Sequence, residues 1–259
     1  MQGSASRLAY PSIALFFVFL AAWQWLPGAL HVPEFILPTF SATWEEFVRM
    51  TTRDALGMQT AVTFLEVLVG FAIGSVLGAI FGYLLGLSPS AEFALSPYIL
   101  ALQIAPKVAF APLFVMWLGF TVYPKILVAV LIVFFPVLIN VLGAMRTIDP
   151  LEINLVRSLC ATPVKMFWKV QFPATLPALF SGLRISSTLA VIGVLVGELV
   201  GGNLGLGYLL TYGQGQANTK MVFVTIILLT IIGIVLYGAV VLVERRALHY
   251  LPKAVTQPA

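Results

Sequence analysis

This sequence contains unusually few charged residues. Asp, Glu, Lys and Arg make up only 9% of its 259 residues, whereas hydrophobic residues make up 60%. Soluble globular domains carry about 25% charged residues, so the composition excludes an ordinary soluble domain and predicts a polytopic membrane protein. The mean hydropathy of +1.03 agrees. The net charge of +4 does not indicate nucleic-acid binding, because the basic residues are scattered singly between apolar runs.

Residues that bind metals or form disulfides are also scarce. The single cysteine, Cys160, excludes an intrachain disulfide and a cysteine cluster for zinc or iron–sulfur. The two histidines, His31 and His249, lie far apart and outside any HExxH motif. The apolar runs contain no nucleophile, metal cluster or paired acid, so a membrane-embedded enzyme is the weakest functional class. We expect no catalytic residue, no metal site and no cofactor in this chain.

Long apolar runs are abundant. A helix needs about 20 residues to cross the hydrocarbon core of a bilayer, and six segments are long enough: 8–30, 60–86, 93–120, 125–145, 178–201 and 221–243. They lack the alternating pattern of a membrane barrel, so helices are the spanning elements. The first run could be a signal peptide. It is longer than the apolar region of a signal peptide and ends in bulky residues, which favours a transmembrane helix that is retained in the protein. The sequence predicts an all-α protein with six transmembrane helices in one domain, residues 1–259.

The distribution of Lys and Arg predicts the orientation. A cytoplasmic N-terminus places most basic residues inside and makes both termini cytoplasmic. The segment 31–57 then becomes an extracytoplasmic amphipathic segment at the membrane interface. The predicted inner residues are Arg7, Arg146, Arg157, Lys165, Lys169, Arg184, Arg245, Arg246 and Lys253, and the predicted outer residues are Arg49, Arg53, Lys125 and Lys220.

Small residues and prolines mark two of the runs. A four-residue spacing of glycines in the second run stacks them on one helical face, where another backbone can approach closely. This predicts a packing surface; a sliding or gating interface is the alternative. Three prolines in the third run predict kinks. These kinks either serve helix packing or border a transport pathway. The glycines are Gly70, Gly74, Gly78, Gly82 and Gly86, and the prolines are Pro97, Pro106 and Pro112.

Between the fourth and fifth runs, the polar stretch 146–173 carries signals for two short helices. Asp149 followed by Pro150 and Glu152 predicts a helix start. Thr162 followed by Pro163 predicts a second start, and this helix should end before Pro173, because the residue preceding a proline disfavours helix. The helices would meet in a turn at 159–162. Charge alone favours a basic hairpin on anionic headgroups; docking of an apolar helical face, with Leu151, Leu155 and Leu159, on a partner is the alternative.

The same stretch resembles the EAA loop of ABC-importer permeases, whose pattern is EAA, three residues, Gly, nine residues, Ile, one residue, Leu-Pro. Val170, Phe172 and Pro173 take the last three defined positions, Cys160 takes the glycine position, and Asn154, Leu155 and Val156 take the EAA triplet. The segments "IAPKVAFAPLFVMWLGF" (104–120), "FFPVLIN" (134–140), "TLPALFSGLRI" (175–185) and "GELVGGNLGLGYLL" (197–210) are similar to permeases of the nitrate, sulfonate and taurine branch.

This resemblance implies a type I (MetI-like) ABC importer permease that acts as a homodimer in a bacterial inner membrane. It implies two cytoplasmic ATP-binding subunits, which bind ATP and magnesium, and an extracytoplasmic substrate-binding protein. The chain itself lacks GxxxxGK[ST]. Residues 154–160 would be the coupling helix. Because Asn154 lacks the charge of the family's glutamate, coupling would use Arg157 and the apolar face. The expected coupling residues are Asn154, Leu155, Val156, Arg157, Ser158, Leu159, Cys160, Ala161 and Lys165.

Few polar residues inside the runs are available to contact a solute. Lys107 would cost about 2.5–3.5 kcal/mol at a helix centre in the membrane, so it should face water, protein or an anion. Snorkelling, or pairing with Glu66 or Glu198, is the alternative. Ser and Thr commonly bond to their own helix instead. The candidate pathway residues are Gln103, Lys107, Asn140, Ser186, Ser187, Thr188 and Glu198.

The expected function is ATP-driven import of a small solute by alternating access. A secondary transporter or channel working without ATP is the alternative; it would explain six spans but not the EAA spacing. The sequence does not identify the solute. Nitrate, alkanesulfonates, taurine, pyrimidine precursors of thiamine, riboflavin and aromatic carboxylates are all compatible with the resemblance.

Overall fold

The described part of the chain is helical. A computed structural model describes residues 3–53 and 55–249, without the side chains of 3–10, 12 and 53. Lys253 lies outside the described residues, as do the side chains of Arg7 and Arg53. All regular structure within the described ranges is helix, which confirms the all-α prediction. The helices are α1 (Gly3–Ala29), α2 (Phe40–Arg53), α3 (Leu56–Leu87), α4 (Pro89–Ile104), α5 (Ala111–Leu118), α6 (Val122–Arg146), α7 (Pro150–Ser158), α8 (Pro163–Met166), α9 (Phe172–Gly201), α10 (Leu206–Gly215) and α11 (Thr219–Ala247).

Four helical stretches among the described residues are long and apolar enough to cross a membrane: Leu56–Leu87, Val122–Arg146, Pro163–Gly201 and Thr219–Ala247. A bent pair of helices, Pro89–Ile104 and Lys107–Leu118, makes a fifth if the two, which meet at 80°, are counted as one broken span rather than as a re-entrant loop. The remaining predicted run, the first along the chain, coincides with α1, and the apolar stretch found among its described residues, Ile13–Ala29, is shorter than these spans. The helices therefore fall where the sequence predicts them, while length and composition alone give four or five spans rather than six.

The bend in the third run lies at one of its three prolines. Helix α4 ends at Ile104, and Ala105 has an extended ψ of 136°, as expected for the residue before Pro106. A short 3-10 turn, Lys107–Phe110, then leads into α5. Pro97 stays inside α4, and Pro112 occupies the first turn of α5, where no N–H bond is lost. The predicted kink is confirmed at Pro106.

Helix α6 is packed between glycine faces on α3 and α9. A Cβ added at Gly78 would lie 2.6 Å from the carbonyl oxygen of Phe134, and one added at Gly193 would lie 2.6 Å from the Cα of Ala129. No side chain fits at such distances, so both helices contact α6 backbone to backbone. The glycine stripe is therefore the predicted packing surface. The α3 glycines at which an added Cβ would lie within 3.0 Å of an α6 atom are Gly70, Gly74, Gly78, Gly82 and Gly86.

The contacts also define two ends of the bundle. Gly70 lies beside Ala129 and Gly86 beside Met145, so α3 and α6 run parallel. Gly197 lies beside Lys125, so α9 runs antiparallel to α6. One end, here called the loop end, carries residues 147–166. The opposite end, here called the α2 end, carries α2, α10 and the turns 119–121 and 202–205.

At the α2 end, the predicted amphipathic segment 31–57 contains helix α2, which packs against the bundle. Met50 is fully buried in the main apolar core. The Glu46 carboxylate accepts hydrogen bonds from Arg49 and from Asn218 Nδ2, the latter at 2.7 Å, which ties α2 to the turn before α11. The hydrogen bond from Arg49 lowers the pKa of Glu46 from its ordinary value, against the effect of burial. The α2–bundle contact therefore includes a charged anchor.

The predicted helix end before Pro173 is wrong. Helix continues from α8 through a π-turn, Phe167–Gln171, into α9, so that Pro163–Gly201 is one stretch of 39 residues. Phe172 has helical dihedrals, and its N–H donates to the carbonyl of Phe167, five residues back. A proline inside a regular α-helix removes one hydrogen bond and crowds the preceding turn. The wider π-turn accommodates Pro173 without ending the helix.

Candidate functional site

The predicted caps of the loop-end hairpin are confirmed. Asp149 Oδ1 accepts from the N–H of Leu151 at 2.8 Å, and Pro150 begins α7. Thr162 Oγ1 accepts from the N–H of Lys165 at 3.4 Å, and Pro163 begins α8. Each cap satisfies an amide that the helix itself leaves unbonded. The local sequence therefore fixes both helix starts.

Cys160 performs the backbone role of the glycine in the family pattern. Its φ is 53°, in the left-handed region. The N–H of Cys160 donates to Arg157 O at 2.9 Å, and the N–H of Ala161 donates to Val156 O at 3.3 Å. These two bonds form a Schellman motif, which usually has glycine at the left-handed position. The turn geometry that glycine would favour is thus present with cysteine, at a steric cost of about 1–2 kcal/mol.

Helix α7 presents an apolar face to its surroundings. Leu151, Leu155 and Leu159 are 74%, 63% and 73% exposed, and Arg157 is exposed as well. Three leucines on one face of a helix outside the spans form an apolar patch of the kind that marks a contact site. Of the predicted coupling residues, Asn154, Leu155, Arg157, Ser158, Leu159, Cys160 and Lys165 are exposed, and Val156 and Ala161 are half-buried.

A cavity of about 500 Å³ lies where the broken span meets α6 and α9. Three predicted pathway residues line it: Gln103, Lys107 and Asn140. The remaining lining is mainly apolar and consists of Val108, Ile132, Phe135, Pro136, Ile139, Leu189 and Ile192. Cavities that bind small molecules are mostly apolar with a few polar groups that orient the ligand, and this cavity has that composition.

Lys107 directs its charge at this cavity. Its Nζ donates to the carbonyl of Gln103 at 2.6 Å and lies 4.7 Å from the ring centroid of Phe135. The alternative pairing with Glu66 or Glu198 is wrong, because Glu66 pairs with Lys125 and Glu198 accepts from Thr63. The break at Pro106 places Lys107 in the 3-10 turn rather than on a continuous helix. A cation with only a neutral carbonyl and an aromatic ring as described contacts can bind an anion.

The other predicted pathway residues are not brought into this cavity. Ser186 Oγ donates to Val133 O at 3.0 Å and links α9 to α6. Ser187 and Thr188 bond back to their own helix, at Arg184 O and Ile185 O, as Ser and Thr commonly do. Thr188 also lines a second cavity, between α9 and α11. Glu198 lies at the α2 end.

Sequence reasoning missed a buried polar network at the α2 end. Lys125 Nζ and Glu66 Oε1 are 2.9 Å apart with side chains 5% and 3% exposed, and Nζ also donates to Leu204 O at 3.1 Å. Thr63 Oγ1 donates to Glu198 Oε1 at 2.7 Å. The available signal was the spacing of Gln59, Thr63 and Glu66, three polar residues on one face of an apolar helix.

This network holds the start of α10. The N–H groups of Gly205, Leu206 and Gly207 donate to Gln59 Oε1, Thr63 Oγ1 and Glu198 Oε2 at 2.6, 2.8 and 2.6 Å. Gly205 has a φ of +110°, and a Cβ there would lie 1.9 Å from Glu198 Oε1. Glycine is therefore required at this turn. Three side chains from two spans cap one helix, which explains why Glu198 is buried far from the cavity.

Comparisons with known proteins agree with this architecture. A family profile described as "Binding-protein-dependent transport system inner membrane component" matches residues 74–249. The chain is 34% identical over 250 residues to the riboflavin transport system permease protein RibX of Chloroflexus aurantiacus, covering 95% of this chain and 93% of that protein. It is 32% identical over 233 residues to a Bacillus subtilis protein named for aliphatic sulfonate transport, SsuC, covering 90% and 84%.

Among solved structures, the chain is similar to one from the MetNI methionine ABC transporter in an inward-facing conformation. The TM-score is 0.63 at 22% identity, over 74% of this chain and 95% of that one. This likeness supports the MetI-like fold. In this family the permease is a subunit without a catalytic site, and ATP is hydrolysed by a separate subunit. On the profile match and the relatives, the chain belongs to the family of permease components of binding-protein-dependent ABC transporters.

Proposed function

We propose that this permease imports a small solute by alternating access, driven by ATP-binding subunits that dock on the loop-end hairpin. The observation that carries the proposal is the exposed apolar face of α7, together with Arg157, on a helix that is capped at both ends. A preformed helix loses little conformational freedom on binding, and its leucines at i, i+4 and i+8 suit a hydrophobic groove. The contact residues are those of 154–161 and Lys165.

The working assembly contains more than this chain. It consists of two permease copies, two ATP-binding subunits at the loop end and a substrate-binding protein at the α2 end, all in or on a bacterial inner membrane. ATP and magnesium bind to the ATP-binding subunits, so this chain needs no cofactor; its other surroundings are lipid, not nucleic acid. The excess of Lys and Arg at the loop end supports a cytoplasmic loop and cytoplasmic termini.

The cavity beside Lys107 supports a small anion as the solute. Its volume, about 500 Å³, is within the usual range for small-molecule sites. Lys107 supplies a positive charge and Asn140 and Gln103 supply neutral polar groups, a set that suits nitrate, a sulfonate or taurine. A vitamin such as riboflavin, or a pyrimidine precursor, is the second candidate, because a relative of high coverage is named for riboflavin transport.

Co-purification of an ATP-binding subunit and the ATP dependence of solute uptake test the proposal directly. We expect the permease, expressed with its ATP-binding subunit, to retain that subunit through purification. Vesicles containing both, supplied with the binding protein, should take up solute only with ATP. A secondary transporter or channel predicts uptake without ATP and no associated ATPase, so either result would contradict the proposal.

A charge reversal tests the docking helix. Arg157→Glu should lower ATP-driven uptake by tenfold or more while ATP hydrolysis continues, because an exposed coupling contact is lost without disturbing the fold. Arg245→Glu is the matched control, since Arg245 is an exposed arginine near the same end of the bundle, in the last turn of α11. Unaltered uptake by the Arg157→Glu importer would remove Arg157 from the coupling contact.

A further inference from the structure

The π-turn Phe167–Gln171 lies between the docking helices and the span that follows them. Because α8, the π-turn and α9 form one helical stretch of 39 residues, a movement of α7 and α8 can reach α9 along the chain only through this turn. π-turns are rare in proteins, and those that occur often lie at functional sites. They also carry one extra residue compared with α-helix, so the same chain can adopt the α register, at the cost of crowding Pro173 against the preceding turn.

Tyr83 of α3 contacts residues at both ends of the π-turn. Its ring lies 5.2 Å from that of Phe167 and 5.9 Å from that of Phe172, measured between centroids. Its hydroxyl lies 3.0 Å from Thr175 Oγ1, which in turn bonds to Gln171 O at 2.9 Å. Since the glycine face of α3 is packed backbone to backbone on α6, Tyr83 connects the turn to the rigid part of the bundle.

The side chain of Gln171 contains a buried acceptor that lacks a hydrogen-bond partner in this arrangement of the described residues. The residue is 6% exposed, and within the described part of the chain its Oε1 has no hydrogen-bond partner. A buried acceptor without a partner is costly, so the observed register is destabilised at this position. A change from π to α register turns one side of the joint by about 100° relative to the other, which moves Gln171 to different neighbours.

We propose that the π-turn is a two-register joint through which the ATP-binding subunits move α9, and that Tyr83 is the positioning residue that holds the register described here. When α7 is displaced, the N–H of Phe172 exchanges the carbonyl of Phe167 for that of Trp168, and Gln171 Oε1 moves out of the position in which it has no partner among the described residues. This inference rests on the proposed docking of ATP-binding subunits at the loop end.

Two variants of the assembled importer test the joint in proteoliposomes. Gln171→Met keeps the length of the side chain and removes the unpaired acceptor. It should raise the melting temperature of the permease by about 2–4 °C, yet lower the stimulation of ATP hydrolysis by the binding protein at least fivefold, because the π register is favoured. Tyr83→Phe removes the hydroxyl next to Thr175. It should at least double ATP hydrolysis without binding protein and leave retention of the ATP-binding subunit unchanged.

Tyr123→Phe, at an exposed tyrosine of the α2 end, is the control and should leave all three measurements unchanged. A Gln171→Met importer that is stabilised but stimulated normally would overturn the joint. So would a parallel loss of stability and stimulation, which indicates a purely structural glutamine. If the wild-type permease retains no ATP-binding subunit, the docking function fails and the joint fails with it; if the wild type couples and both variants match it, the joint alone fails.

Discussion

The buried pair of Lys125 and Glu66 shows how strongly the stability of the α2 end depends on single side chains. Lys125→Met leaves the Glu66 carboxylate buried without its cation. Removing one partner of a buried pair typically costs about 3–5 kcal/mol. We therefore expect a marked fall in melting temperature of the purified permease. The double variant Lys125→Met, Glu66→Gln should recover part of the loss, because no uncompensated charge stays buried.

Lys220 provides a matched control for that prediction. It pairs with Glu34, but their side chains are 35% and 60% exposed. An exposed pair contributes about 0–1 kcal/mol, so Lys220→Met should change the melting temperature little. Equal effects of Lys125→Met and Lys220→Met would show that burial of the first pair is not what makes it important.

Lys107 is the residue on which solute selectivity depends in the proposed pathway. Losing a hydrogen bond to a charged group costs about 1.5–3 kcal/mol, which corresponds to a roughly 10- to 100-fold change in affinity. Lys107→Met should therefore reduce uptake of an anionic solute by that factor, whereas Lys107→Arg should retain most of it. The measurement is ATP-dependent uptake of labelled nitrate, an alkanesulfonate, taurine and riboflavin. Equal uptake by Lys107→Met and wild type would exclude a charge-selective role.

At the scale of elements, the contact of α6 with α3 depends on glycine. Gly78→Ala places a Cβ 2.6 Å from Phe134 O, so one helix must shift, at a cost of about 1–3 kcal/mol. Gly238→Ala in α11 meets nothing within 4 Å and should stabilise its helix by up to about 1 kcal/mol. Thermal unfolding of both variants measures the difference. Two stabilised variants would mean that α3 and α6 are not in close contact.

Elements set by neighbouring residues were predictable from sequence, and those set by distant contacts were not. The caps at Asp149 and Thr162 and the bend at Pro106 follow from local chemistry. The helix through Pro173 did not, because a single-residue rule cannot foresee a π-turn that packs against Tyr83, 84 to 88 positions earlier in the chain. Likewise, the sequence does not reveal that Glu198 belongs to the α2 end rather than to the pathway, because its hydrogen-bond partners in α3 and α10 are not its neighbours in sequence.

At the scale of the whole molecule, the two ends have different chemistry. The α2 end is closed by buried hydrogen bonds between α3, α9 and the start of α10. The loop end carries an exposed hairpin and ion pairs between neighbouring spans, Arg146 with Glu92 and Arg184 with Glu244. This difference between the ends fits the proposed function, in which the subunit receives movement at the hairpin and transmits it through α9.

The orientation of these ends can be read from the single cysteine. Cys160 is exposed in the hairpin turn, so in a permease expressed without its ATP-binding subunit a membrane-impermeant maleimide should label it in inside-out vesicles and not in intact spheroplasts. The reverse probe is Gln216→Cys in a Cys160→Ser background, because Gln216 is exposed at the α2 end; it should be labelled from outside only. Because Lys and Arg concentrate at the loop end, we expect this pattern. Labelling of Cys160 from outside would invert the topology and place the docking helix where no ATP-binding subunit could reach it.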